Sequence, residues 1–246
     1  MPHYRRFSDA SLSEKILDTM FLITIGIGYI FAMINLVVTH QYHDKKPGLS
    51  VDDIRIAYYG THQETRLGAA INGPMANMLN NDAQKNTIIE WINSGAKQDQ
   101  FDKTIAPILN ENCIKCHSAG GFMRSIPLTS YDDVVKLTTT DTGASIQSLV
   151  RVSHIHLFGI AFLMFFLGRI FILCEMPVMV KRITVAIPFI TVLVDISSWY
   201  LTKLSPNFAY LVVAAGALMG ISIMAQIIIS LYQMWFYKPK SVPVEM

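Results

Sequence analysis

The chain predicts an all-α membrane protein, with four transmembrane helices and a small, mainly α domain inserted between helices 1 and 2. Three observations carry that expectation. Four apolar stretches, at 20–38, 156–174, 183–201 and 208–236, each approach or exceed the roughly 20 residues that cross a bilayer. Charged residues are 15% of the 246 and hydrophobic residues 52%, with mean hydropathy +0.37, where soluble domains carry about a quarter charged. The one long polar connection, 39–153, has the length of a modest domain. The expected division is a cytoplasmic N-terminus with a signal-anchor helix at 1–39, an outer domain at 40–153, and a three-helix region with a short tail at 154–246.

The first stretch is too long for the apolar core of a secretory signal. No A-x-A-like cleavage site follows it, so it is read as an uncleaved anchor. The second holds Arg169 near its inner end, where a long side chain snorkels or pairs with a neighbour. Cys174 at its boundary is read as packing. The third holds Asp195 towards its outer end and Pro188, which is expected to kink it. Ser205 and Pro206 read as N-cap and first helical residue of the fourth. Gly216 and Gly220 form a G-x-x-x-G step, taken as ordinary small-residue packing. Trp199, Tyr200, Tyr210, Trp235 and Tyr237 sit near span ends, where amphipathic rings belong.

Charge placement orients the bundle. Arg5, Arg6 and Lys15 precede the first span, Lys181 and Arg182 separate the second from the third, and Lys238 and Lys240 follow the fourth. Positive residues stay inside, so these regions and both termini are expected in the cytoplasm. The 39–153 connection and the 203–207 turn then lie outside, on the periplasmic side of a bacterial inner membrane.

Within the outer domain, Asp82 is expected to cap a helix that runs through Ile88, Ile89, Trp91 and Ile92 and is ended by Gly95. A second holds Phe101, Ile105, Ile108 and Leu109 and leads into Cys113, with Pro107 beginning or kinking it. Eleven Lys and Arg face twelve Asp and Glu across 39–153. No basic tract points to nucleic acid, and electrostatic docking would have to use local patches.

The most specific signal is Cys113-Ile114-Lys115-Cys116-His117, a C-x-x-C-H sequence. Two thiols at this spacing bond two vinyl groups on one porphyrin edge, and the adjacent imidazole lies beneath the iron. The expected cofactor is therefore one covalent haem c, tethered by Cys113 and Cys116 with His117 as proximal ligand. A zinc half-site would need a second cysteine pair, and the one other cysteine, Cys174, lies in an apolar segment. A disulfide between Cys113 and Cys116 would have no need of His117. Covalent attachment takes place outside the bacterial cytoplasm, in agreement with the charge argument. Haem confines the function to redox work.

The segment FDKTIAPILNENCIKCHSAGG (101–121), followed by IPLTSYDDVV (126–135), resembles the haem-binding segment of planctomycete-type cytochrome c domains. There a Pro-Ile-Leu run precedes C-x-x-C-H and a Ser-Tyr-Asp-Asp segment follows. NTIIEWINSGA (86–96) is similar to the terminal helix of the same domains. In that family the terminal helix follows the haem motif, with a distal methionine just before it. Here the Trp91 helix and the NGPM segment (72–75) precede the motif, which suggests a circularly permuted domain. The terminal helices of the family pack together, so a join through 96–100 is feasible. By this resemblance Met75 is the distal iron ligand, with Met78 and Met123 as rivals and core packing as the plainer role of each. The resemblance covers about a third of the chain and none of the four-span architecture.

Four histidines fall at one expected depth: His40 and His43 after the first span, and His154 and His156 at the start of the second. Ionisable groups in spans point to function by default, and Asp195 adds one nearby. Three readings stand: a non-covalent haem b between helices, a metal or quinol-proton site, or interfacial residues bonding water and backbone. His154 and His156 are two apart on a helix and point to different faces. No P-loop, G-x-S-x-G or H-E-x-x-H pattern occurs, and no catalytic residue is assigned. The expected function is non-catalytic electron transfer within a respiratory or photosynthetic redox assembly. Its expected partners are membrane lipid, other membrane redox subunits, and a soluble periplasmic carrier or quinone. The alternative is a quinol-oxidising module with a haem b or quinone at the outer side. A sensor is disfavoured, because 238–246 leaves no room for an output domain.

Overall fold

The computed structural model describes residues 5–238, so Lys240, expected on the inner side, lies outside the described residues. In chain order the helices are α1 (Leu12–His40), α2 (Val51–Tyr59), α3 (Arg66–Asn72), α4 (Asp82–Asn93), α5 (Gln98–Gln100), α6 (Ala106–Asn112), α7 (Tyr131–Val135), α8 (Ile146–Phe171), α9 (Val178–Leu204) and α10 (Ala209–Trp235). A π-turn, Phe101–Ile105, joins α5 to α6. Among the described residues the one β pairing is an isolated antiparallel bridge between Thr65 and Thr140. The chain forms two compact units, one of Met1–Leu36, Ile146–Leu201 and Asn207–Met246, the other of Val37–Ser145 and Thr202–Pro206.

In the first unit, three segments are long and apolar enough to cross a membrane: Leu12–His40, Ile146–Phe171 and Pro206–Trp235. Helix α9 matches them in length, at 27 residues, but carries Lys181, Arg182, Asp195 and Lys203. Helix α1 is capped by Ser11 and Glu14, whose side chains each accept the other's backbone N–H. Its apolar side chains Ile23, Ile27, Ile30 and Phe31 are exposed, as lipid contact requires. The Tyr29 hydroxyl takes the place a side chain at Gly220 would fill, so a larger residue there has to displace the Tyr29 ring, while Gly216 faces open space. The G-x-x-x-G step is thus used at one of its two glycines. Helix α8 begins at Ile146, ten residues before the apolar stretch that marks its span. Gln147, Ser148 and Arg151 make its first turns polar, which is why they read as loop.

Pro188 sits inside α9 and has no N–H to offer the carbonyl of Thr184. That carbonyl is satisfied from α10 instead: Ser222 Oγ donates at 3.1 Å and Gln226 Nε2 at 2.9 Å. Both donors are buried, with Gln226 1% exposed. In a lipid-facing bundle every freed backbone group needs such a partner, because no water is present to supply one.

In the second unit, side-chain caps start the helices. Ser50 accepts from Asp53 N–H, Thr65 from Gly68, Asn81 from Gln84 and Ser130 from Asp133. The cap of α4 is therefore Asn81, with Asp82 in the first turn where its charge favours the helix dipole. Gly95 (φ 95°) and Ala96 (φ 49°) turn the chain out of α4. Two bonds hold that turn: Trp91 Nε1 donates to Lys97 O at 2.9 Å and Tyr131 OH to Ala96 O at 3.0 Å. Pro107 cannot donate backwards, and the preceding turn widens to π spacing before α6. Ile88, Trp91, Phe101, Ile105, Leu109, Leu128 and Val134 form one buried core. The Trp91 and Phe101 rings stand 5.7 Å apart and Phe101 and Tyr131 5.6 Å apart. Each such pair adds about 0.5–1.5 kcal/mol beyond area burial.

Candidate functional site

Helix α6 delivers the Cys-His motif. Its C-cap is Cys113, and the next turn folds tightly on it: Cys116 and His117 both donate their N–H to Cys113 O, at 3.1 and 2.9 Å. The chain then doubles back. Met123 N donates to Cys116 O at 3.0 Å, and Leu128 N donates to His117 O at 2.9 Å. A Cβ on Gly121 would meet the Cys116 carbonyl, so the return loop passes only because residue 121 is glycine.

Two thiols and an imidazole emerge from this turn. Cys113 and Cys116 are both free and half-buried. Burial, and then the neighbouring Cys116, pushes the Cys113 thiol up, so it stays protonated at neutral pH. His117 Nδ1 donates to the Ile126 carbonyl at 2.8 Å. This bond fixes the ring and selects the tautomer whose Nε2 lone pair faces away from the loop. The donor set fits covalent tethering of a porphyrin with an imidazole beneath its iron.

A polar network fixes the base of the motif. Glu111 accepts from Asn80 Nδ2 at 2.8 Å and Gln84 Nε2 at 3.2 Å, and Asn112 Nδ2 donates to Gln84 Oε1 at 3.2 Å. These bonds tie the segment entering α4 to the two residues before Cys113. Met75 opens that segment, half-buried, with its N–H on Ala70 O at 2.8 Å. Met78 is 57% exposed.

The histidines separate into two settings. In the Val37–Ser145 unit, His40 and His43 have ring centres 6.3 Å apart, and His43 Nδ1 meets His40 O at 2.8 Å. In the membrane unit, His156 Nδ1 donates to Val152 O at 2.9 Å and its ring stands edge-on to Trp199 at 5.6 Å. Trp199 is hydrogen-bonded to Asp195, and Ser153 Oγ meets Tyr200 OH at 3.0 Å. His154 is exposed, and because α8 begins at Ile146 both His154 and His156 lie well inside it. Among the described residues no three of His, Cys, Asp and Glu converge to hold a metal ion. Sequence reasoning missed the Ile126 carbonyl, the Glu111 network, and the roles of Trp199, Tyr200 and Ser153. Trp199 lies four residues after Asp195 on α9, the spacing that brings two helical side chains together, whereas the partner of Tyr200, Ser153, comes from another helix and has no local signal.

A family model described as a transmembrane helical domain matches residues 138–241. That stretch takes in α8, α9 and α10. No match was found among curated proteins or among solved structures. The family match and the three apolar segments make the chain a multi-pass membrane protein in contact with lipid.

Proposed function

We propose that residues 40–153 form a mono-haem c-type cytochrome domain, carried on a four-span bundle in a bacterial inner membrane with the domain on the periplasmic side. Its role is to pass electrons between redox partners, membrane subunits and soluble carriers among them. The observation that carries this reading is His117 in its C-x-x-C-H setting, with Nδ1 held by Ile126 O at 2.8 Å and Nε2 left for a metal. When bound, haem supplies a one-electron couple whose potential follows its axial ligands. The chain supplies the rest. Cys113 and Cys116, both free thiols, would hold the group through two thioether links, and His117 would ligate its iron. The loop at 121–128 orients the imidazole through the Ile126 carbonyl and the Leu128 N–H bond to His117 O.

Met75 is the methionine that would give the iron of a bound haem its second protein ligand. Met123 belongs to the loop that braces His117 at Nδ1, which counts against it in that role. Met75→Ala is expected to remove the near-infrared methionine–iron band of the oxidised protein. Loss of the band in Met123→Ala alone would overturn that choice.

A fourth span is supported by α9, whose freed carbonyl is satisfied within the bundle as lipid demands. A second reading, a quinol-oxidising module with a haem b or quinone, is favoured by one arrangement. His156, held by Val152 O and packed on Trp199, keeps Nε2 available, and Trp199 links on to Asp195.

The deciding experiment is a pyridine haemochrome spectrum with acid-acetone extraction. Haem that resists extraction from wild type and is lost in Cys116→Ser supports the cytochrome. Absence of any haem overturns it. Covalent haem accompanied by extractable haem b, lost in His156→Ala, brings the quinol-oxidising reading forward.

A further inference from the structure

Apart from the C-x-x-C-H turn, the membrane unit carries a groove of about 760 Å³ at the end of the bundle opposite Asp195 and His156 along α8 and α9. Four cations line it: Arg5 and Arg6 from the segment before α1, and Lys181 and Arg182 from the first turn of α9. One carboxylate, Glu175, shares the lining and pairs with Arg6 at 3.3 Å. Arg5 pairs with Glu14 outside the groove. The lining itself carries four positive groups and one negative one; from outside it Glu14, Asp18 and Asp9 act on Arg5, and Lys181 Nζ already donates to Ile172 O at 2.9 Å, so Arg182 leads the set. The wall below them is apolar, with Val185 and Phe189 on the outward turns of α9.

We infer that this groove binds one anionic phospholipid, its phosphate among Arg5, Lys181 and Arg182 and an acyl chain along Val185 and Phe189. The chemistry is shared out by depth. Guanidinium groups give paired N–H donors to phosphate oxygens, with Arg182 exposed for the purpose. The apolar wall offers an acyl chain what it has in the bilayer. A zwitterionic lipid carries its own cation and gains less from an excess of positive charge. A soluble phosphate gains nothing from the apolar wall. Regions rich in Lys and Arg beside spans meet the anionic leaflet, so the ligand is present where the groove opens.

The test uses the full-length protein in neutral detergent, titrated with phosphatidylglycerol, phosphatidylcholine and inorganic phosphate, with occupancy read by native mass spectrometry. Wild type is expected to prefer phosphatidylglycerol over phosphatidylcholine by about tenfold or more, each arginine adding roughly fivefold. Arg182→Gln and Arg5→Gln should each lower the preference about fivefold, and Arg182→Lys should keep most of it. Arg169→Gln, which removes an exposed cation of α8 outside the groove, should change nothing. Circular dichroism confirms that each variant keeps its helices. Equal occupancy by the two lipids, a preference that survives both glutamine variants, or inorganic phosphate displacing the lipid at equal concentration would each overturn the assignment.

Discussion

Gly121 and Ile126 show how much of the C-x-x-C-H turn lies outside its five letters. A side chain at 121 would run into the Cys116 carbonyl, so Gly121→Ala must push the return loop off the motif. The expected cost is about 1–3 kcal/mol, read as a lowered melting temperature, and on the proposed reading a lower yield of covalent haem follows. The Cys113 thiol, held above its ordinary value by burial, gives a pH signature in protein made without haem. Below about pH 8.5 the thiol is protonated in both folded and unfolded chains. Above it the unfolded chain loses the proton first, so stability of this form falls as pH rises towards the folded value. A urea midpoint that does not decline above that pH, or that declines equally in Cys113→Ser, would contradict the assignment. The thiols and imidazole were legible because their spacing is local. The acceptor on His117 was not, because it is a backbone carbonyl that any residue at 126 would supply.

At the scale of elements, the clearest coupling is between α9 and α10. The Thr184 carbonyl has two donors, so Ser222→Ala alone should cost about 0.6 kcal/mol. Ser222→Ala with Gln226→Leu leaves the carbonyl bare and should cost about 1–3 kcal/mol more than the single changes suggest. Pro188→Ala restores an in-helix donor and should shrink that penalty, a reversal visible in thermal melts in detergent. Pro188 was legible as a helix disturbance, but its remedy lies 38 and 42 residues from Thr184, beyond any local pattern. The same limit applied to α8, whose polar first turns hid its true start. The helix stripes around Trp91 and Phe101 were legible because their periodicity is local. So was the glycine stop of α4, whose φ of 95° bears it out. The cap was placed one residue late, since Asn81 and Asp82 are both good caps and only geometry separates them.

At the scale of the whole chain, the number of crossings decides where the ends lie. With four spans, Ser8 and Tyr237 share a side; with three, they are on opposite sides. A membrane-impermeant maleimide on cells should label Lys136→Cys in the Val37–Ser145 unit at once, and Arg182→Cys and Tyr237→Cys only after permeabilisation, each in a background with Cys113, Cys116 and Cys174 all changed to Ser. Immediate labelling of Tyr237→Cys would reduce the spans to three. The membrane class was legible from composition because lipid imposes apolar runs on any spanning helix. The partition into units was legible only coarsely. Thr202–Pro206 joins the Val37–Ser145 unit because Lys203 Nζ donates to Tyr58 O at 3.2 Å and Thr142 O at 2.7 Å, partners far away in sequence. The Thr184 carbonyl also bears on biogenesis. When α9 leaves the ribosome its acceptor is bare, and its donors follow only 38 and 42 residues later, roughly 2–8 s at ordinary rates of synthesis. With four spans, α9 is therefore expected to enter the bilayer together with α10, as a hairpin, and a chain stopped before Ser222 should leave α9 poorly inserted.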